Sequence, residues 1–234
     1  MKKLQNSLYI TREGAYLHKQ RETLVIEVNK VKVMQVPVHS ISGIFCFGNI
    51  MVSPQLLGFC GERGVNLAFF NPYGRYIARV QGRQTGNVLL RREQYRLADE
   101  KAAQIAKNII AAKVQSSKVI LQRHVRNHGA NPDISAAVTA LKHTLDQLKL
   151  QTDLEKIRGY EGEAASRYFA IFDQLISDKA GEKMRFNGRT RRPPKDPINA
   201  MLSFLYSIYA QDVSGALQGV GLDPQVGFLH QERP

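Results

Sequence analysis

Residues 81–87 read QGRQTGN. This short polar stretch, with its two glycines, separates two kinds of hydrophobic pattern, and that change decides the fold. Before it, apolar residues alternate with polar ones or come in short runs, the habit of strands. After it they recur about every 3.6 residues, the habit of helices. Residues 88–127 contain neither Gly nor Pro, so nothing local interrupts a helix there. The expectation is an α+β protein: an N-terminal β-sheet domain over 1–80, a linker over 81–87, and an all-α domain over 88–234.

Toward the N-terminus, strands are predicted over 8–11, 15–19, 23–28, 31–36, 43–47, 65–70 and 75–80. Glu13-Gly14 and Asn29-Lys30 supply turns between the early ones. Ser53 followed by Pro54 reads as an N-cap and first helical residue, and Gly64 as the C-cap of the short helix between them. Toward the C-terminus, 88–127 forms one long helix or two in succession, with Leu90, Leu97, Ile105, Ile109 and Ala112 inward. A helix over 134–150 lines up Ile134, Ala137, Leu141, Leu145 and Leu148. The next carries Glu161 and runs to about Ser177. After a loop over 178–195, Asp196-Pro197 caps and starts a last helix, with Ile198, Met201, Leu202, Leu205 and Ile208 inward and 219–224 ending it.

Composition narrows the class. Of 234 residues, 43% are hydrophobic, enough for a packed core and too many for a disordered chain. No apolar run approaches the ~18 residues of a membrane span. The N-terminus has no signal-peptide pattern and reads as the approach to a strand. Cys46 and Cys60 read as small core residues of a cytoplasmic protein, with no zinc spacing around them. The net charge is +13, which favours a polyanionic partner, nucleic acid before an anionic membrane. That excess is uneven: +6 over 1–80, +7 over 81–150 and zero over 151–234, where most of the acids lie.

Three features carry possible chemistry. Glu161 stands three and four residues before Ala164 and Ala165, on a stripe continued by Tyr168, Phe169, Phe172, Leu175 and Ile176. A carboxylate on an inward face needs a partner. A metal ion is one; an acid in a first helical turn, stabilised by the helix dipole, is the plainer alternative. His230 ends the apolar approach PQVGFLH, either at the lip of a pocket or as an ordinary packed histidine. The loop 183–196, KMRFNGRTRRPPKD, holds Lys183, Arg185, Arg189, Arg191, Arg192 and Lys195. Six cations on a Gly- and Pro-stiffened loop suit phosphate contacts, and Phe186 suits stacking on a splayed base. A solvated basic loop is the alternative. The other histidines form no ligand-like set, and no phosphate loop, dinucleotide fingerprint or nucleophile elbow is present. Nor is there a helix-turn-helix or zinc-finger pattern.

Taken together, RGYEGEAASRYF (158–169), NGRTRRPPKDPINAMLSFLYS (187–207) and GVGLDPQVGFLHQERP (219–234) resemble the CRISPR adaptation integrases, the Cas-one (Cas1) family. Upstream, residues 53–82 resemble the end of that family's β domain, and NVLLRREQY (87–95) the start of its helical domain; the flavour is that of subtype I-C. The resemblance implies a β domain followed by a helical catalytic domain. It also implies a homodimer that joins a small Cas-two (Cas2) partner and, for this subtype, a Cas-four (Cas4) nuclease on double-stranded and branched DNA. The implied activity is metal-dependent DNA cleavage and strand transfer, in which the 3′-hydroxyl of a captured fragment attacks a phosphodiester of a CRISPR array. The family's Mg²⁺ or Mn²⁺ ligands carry over to Glu161 and His230. An aspartate that the family places a short way further on has no matching residue before Pro234. The chain is therefore expected to be a fragment, with a catalytically incomplete DNA-binding and assembly module as the alternative function. Arg185, Arg189, Arg191, Arg192 and Lys195 are the expected DNA contacts.

Overall fold

A computed structural model describes residues 6–80, 82 and 87–229. The chain divides into two compact units: residues 1–91 with 204–224, and residues 92–203 with 225–234. Residues 204–224 thus cluster with the β-strands, where the sequence reading kept them with the helices. Residues 81 and 83–86 of the expected linker, and His230, lie outside the described residues.

Among the described residues, the first unit is built on eight strands in two sheets. Strands β1 (Asn6–Ile10), β5 (Ile41–Phe47), β7 (Asn66–Phe70) and β8 (Tyr76–Val80) form one sheet in the order β1-β5-β7-β8. Pairing is parallel from β1 to β7, and β8 is antiparallel. Strands β2 (Ala15–Gln20), β3 (Thr23–Val28), β4 (Val31–Pro37) and β6 (Met51–Val52) form the other, ordered β4-β3-β2-β6. Asn29 and Lys30 both have positive φ, as a two-residue turn matched to the strand twist requires. Helix α1 (Pro54–Arg63) opens where Ser53 Oγ accepts the Leu56 N–H and closes at Gly64, φ +68°. Leu17, Leu24, Ile44, Leu56 and Leu67 are fully buried in the core that both sheets share with α1.

Both cysteines lie in this core as free thiols. Burial, with Cys60 nearby, pushes the Cys46 thiol up to about 12, and burial pushes Cys60 to about 11. On the other face of the first sheet, Phe45, Phe47, Ala68 and Phe70 pack with Ile208 of α6 (Pro197–Gly219). Phe204 lies 5.6 Å from Phe47, ring to ring, and a Cβ on Gly74 would come within 2.6 Å of Phe204. This aromatic face explains why the later part of α6 belongs with the strands.

The second unit is helical. It contains α3 (Ala102–His128), α4 (Pro132–Leu150) and α5 (Leu154–Ala170); α2 (Val88–Glu100) spans the division point. Their core is Ala106, Ile110, Val114 and Leu121 of α3, Ile134, Leu141 and Leu148 of α4, and Ile157 and Ala164 of α5. Four expectations are corrected here. Ile109 and Ala112 are exposed, because the buried row on α3 is Ala106, Ile110, Val114, Leu121, displaced in phase from the predicted one. Helix α4 starts at Pro132, where Asn131 caps the N–H groups of Asp133 and Ile134. Helix α5 ends at Ala170 instead of Ser177, and a 3-10 turn follows over Phe172–Leu175. On α6, Met201 and Leu205 are exposed while Ile198 and Ile208 are buried. No helix among the described residues is long and apolar enough to cross a membrane.

Candidate active site

Helix α5 begins at Leu154 because Asp153 caps it, accepting the N–H groups of Glu155 (2.8 Å) and Lys156 (3.3 Å). Two turns on, Glu161 is flanked on the helix surface by buried Ile157, four residues earlier, and buried Ala164, three later. Its side chain is 23% exposed, between buried and exposed, and one carboxylate oxygen pairs with the ammonium of Lys113 on α3 at the surface. Lys113 was not singled out in the sequence. It lies 48 residues upstream, and nothing local marks which of the cations on α3 turns toward α5.

Arg158, one turn before Glu161, does something the sequence also did not announce. Its Nη2 donates to the carbonyl of Leu229 at 2.6 Å, while Nη1 pairs with Glu155 at 2.7 Å. Phe228 and Leu229 pack against the same core that buries Ile157 and Ala164. The segment that leads into position 230 is therefore tied to the helix that carries Glu161. A hydrogen bond to an ionised donor in a part-buried setting is of the stronger kind.

The basic loop is less uniform than its composition. Asn199, at the start of α6, is completely buried and organises it. Its Oδ1 accepts from Arg189 Nη1 (2.8 Å) and Thr190 N (2.9 Å), and its Nδ2 donates to Gly188 O (2.8 Å) and Asp196 Oδ2 (2.6 Å). Asp196 caps the helix by accepting the Asn199 N–H at 2.7 Å. Partial burial works to raise the Asp196 carboxyl. The N–H and amide of Asn199 and the N–H groups of Asn187 and Ile198 outweigh it and hold the carboxyl below its usual range. Arg189 is half-buried, bonded also to Thr190 O and Ser203. Arg185 pairs with Asp173 at 3.5 Å. Arg191, Arg192 and Lys195 are exposed, and among the described residues none of these three side chains forms an ion pair.

Phe186 corrects its own expectation. It is 5% exposed, packed on Phe172 (5.0 Å) and Phe169 (5.8 Å), with its N–H bonded to Asp173 Oδ1 at 2.7 Å. It anchors the loop and has no face to offer a base. The hydrophobic effect on this large ring outweighs anything a surface stacking role would return.

Glu161 already faces a cation, the Lys113 ammonium, so its surroundings accept positive charge. A carboxylate oxygen is a suitable donor for Mg²⁺ or Mn²⁺. Among the described residues, however, no three His, Cys, Asp or Glu side chains come together as a ligand set. Of the two expected ligands the structure describes Glu161 alone.

The family model for CRISPR associated protein Cas1 matches residues 8–234. The chain belongs to the Cas1 family. A protein named CRISPR-associated endonuclease Cas1 2, from Rhodospirillum rubrum, is 44% identical over all of this chain and 70% of its own length. Another, CRISPR-associated endonuclease Cas1 1 from Chlorobaculum tepidum, is 42% identical over all of this chain and 69% of its own length. The solved structure of a Cas1 protein from Thermotoga maritima superposes with a TM-score of 0.76 at 25% identity, covering 97% of this chain and 70% of that one. These likenesses run through both units, and a Cas1 fold accounts for the order of sheets before helices.

Proposed function

We propose that this chain is a metal-dependent DNA endonuclease and integrase that inserts captured DNA fragments into a CRISPR array. The observation that carries the reading is the Glu161 carboxylate on α5, paired with Lys113 of α3, while Arg158 of the same helix α5 ties down the segment before His230. Glu161 and His230 would hold Mg²⁺ or Mn²⁺, which supplies Lewis acidity to the scissile phosphate. Lys113 offsets carboxylate charge beside the reacting group. Arg191, Arg192 and Lys195 are the exposed cations of a loop pinned by Asn199, and they hold the phosphate backbone in register. Arg185 and Arg189 contribute charge to the same loop while staying tied to protein partners. In strand transfer the 3′-oxygen of the incoming fragment forms a new bond to phosphorus. The bond to the leaving 3′-oxygen breaks, and the proton passes from the attacking hydroxyl to the leaving oxygen. The same reading includes a homodimer acting with a Cas2 partner and a Cas4 nuclease.

The test is Mn²⁺-dependent nicking and joining of branched DNA by the purified chain, beside Glu161→Ala. Loss of both reactions with DNA binding intact supports the reading. Binding without any cleavage by the unmodified chain would instead leave a DNA-binding assembly module.

A further inference from the structure

Helix α3 has 27 residues, five of them Lys or Arg and none acidic. Lys113 uses the flank toward α5. The opposite flank, facing α4, borders an open groove of about 630 Å³. It is lined by the small side chains of Ala111 and Ala112, by Lys107 and Lys118 from α3, and by Lys142 and Lys149 from α4. Lys107 and Lys118 are eleven residues apart, close to three helical turns, so they share a face about 16 Å apart along the axis. Asp146 is the one acid in the lining, and Lys149 holds it at 2.8 Å. The hydrogen bond from Lys149, then the attraction of Lys149, Lys142 and His143, keep that carboxyl below its usual range. Lys118 and Lys142 have no hydrogen bond or ion pair among the described residues, so neither is spent on the fold.

We propose that this α3–α4 groove is a second DNA-backbone contact, separate from the Glu161 site and the basic loop. It rests on the reading of the chain as a DNA enzyme and adds where duplex DNA flanking the reacting strand is gripped. Cations spaced about 16 Å along the groove can each meet a different phosphate of a duplex, which carries one charge per about 1.7 Å of helix axis over its two strands. Lysine ammonium groups on flexible stems suit backbone contact without sequence readout. The small side chains of Ala111 and Ala112 in the lining leave room for a backbone to approach α3. A single-sign lining with its one acid neutralised does not complement a cationic or neutral protein surface.

The test is duplex-DNA affinity against salt for the full chain, for Lys118→Glu with Lys142→Glu, and for Lys30→Glu with Lys32→Glu. The last changes charge equally on the β3–β4 hairpin. Each phosphate contact contributes about 0.9 to the slope of log K against log salt, so the groove pair is expected to flatten the slope by about two units and to weaken binding tenfold or more. The hairpin pair should do neither. Glu161→Ala should keep the full slope, which separates this groove from the proposed chemistry. An unchanged slope in the groove pair, with unchanged melting, overturns the proposal while leaving the DNA-enzyme reading intact. An equal effect of the hairpin pair overturns it too, by showing only a general charge effect. Loss of binding to an acidic protein, with DNA slope unchanged, would assign the groove to a protein partner and equally overturn it.

Discussion

Replacing Asn199 by Ala should loosen the basic loop and cost more stability than any other single polar substitution in it. The side chain is fully buried and makes four hydrogen bonds. Alanine leaves Thr190 N and Gly188 O without their partners and removes one bond each from Arg189 and Asp196. Asp196 keeps the backbone N–H of residue 199, and Arg189 keeps Thr190 O, so those two losses are partial. Counting about 1 kcal/mol for each stranded backbone group and about half that for each partly compensated ion gives about 3 kcal/mol. For a unit of this size that lowers the melting temperature by roughly 10 °C. Thermal unfolding followed by circular dichroism, with urea titration alongside, measures it. DNA affinity should fall as well, because Arg191, Arg192 and Lys195 lose their fixed positions. A melting temperature within 2 °C of the unmodified chain would refute the reasoning, since it would mean that the buried amide organises nothing.

Three further outcomes are expected. Phe186→Ala should destabilise by about 3–5 kcal/mol, as a large ring leaves a cavity between Phe169 and Phe172. Reduced DNA affinity with unchanged urea stability would instead return Phe186 to a surface role. Asp196 has a folded pKa below its unfolded value near 3.9, so its stabilising contribution is constant at neutral pH and is lost as pH falls through the folded value. The stability gap between the unmodified chain and Asp196→Asn should therefore close below about pH 4, and a gap that stays constant to pH 2 would contradict the capping role. Cys46 and Cys60, with thiols pushed up by burial, should resist a thiol reagent at pH 8 until the chain unfolds; rapid labelling of the native chain would show that the core is open there.

Much of the architecture was legible because local chemistry enforced it. The Asn29-Lys30 turn, the Ser53-Pro54 start and the Gly64 stop of α1 each depend on residues adjacent in sequence, and the structure reproduces them. What was not legible depended on distant segments. Nothing within β1, β5 and β7 announces that they pair in parallel, since their partners lie across long connections. Helix α5 stops at Ala170 without Gly or Pro, where Tyr168, Phe169, Phe172 and Phe186 gather into one aromatic cluster. On α6 the apolar spacing marked Met201 and Leu205 as inward, yet the residue that packs deepest is the polar Asn199. A polar side chain one step past buried Ile198 was the available signal.

The site divides the same way. Glu161 was singled out by its place on an apolar stripe, and the structure shows a half-buried carboxylate paired with Lys113 there. Lys113 and Arg158 needed the packing of α3, α5 and the segment before His230 to become visible. Of the six cations in the basic loop, sequence could not say that Arg189 turns inward on Asn199 while Arg191, Arg192 and Lys195 face water.

The most direct measurement is Mn²⁺ affinity by calorimetry for the unmodified chain and Glu161→Gln, a substitution that keeps shape and removes charge. A carboxylate ligand predicts at least a tenfold weaker Mn²⁺ affinity in the variant, with unchanged melting in the absence of metal. Equal Mn²⁺ affinity in the two proteins would contradict the assignment of Glu161 as a metal ligand and leave its pairing with Lys113 as a structural ion pair.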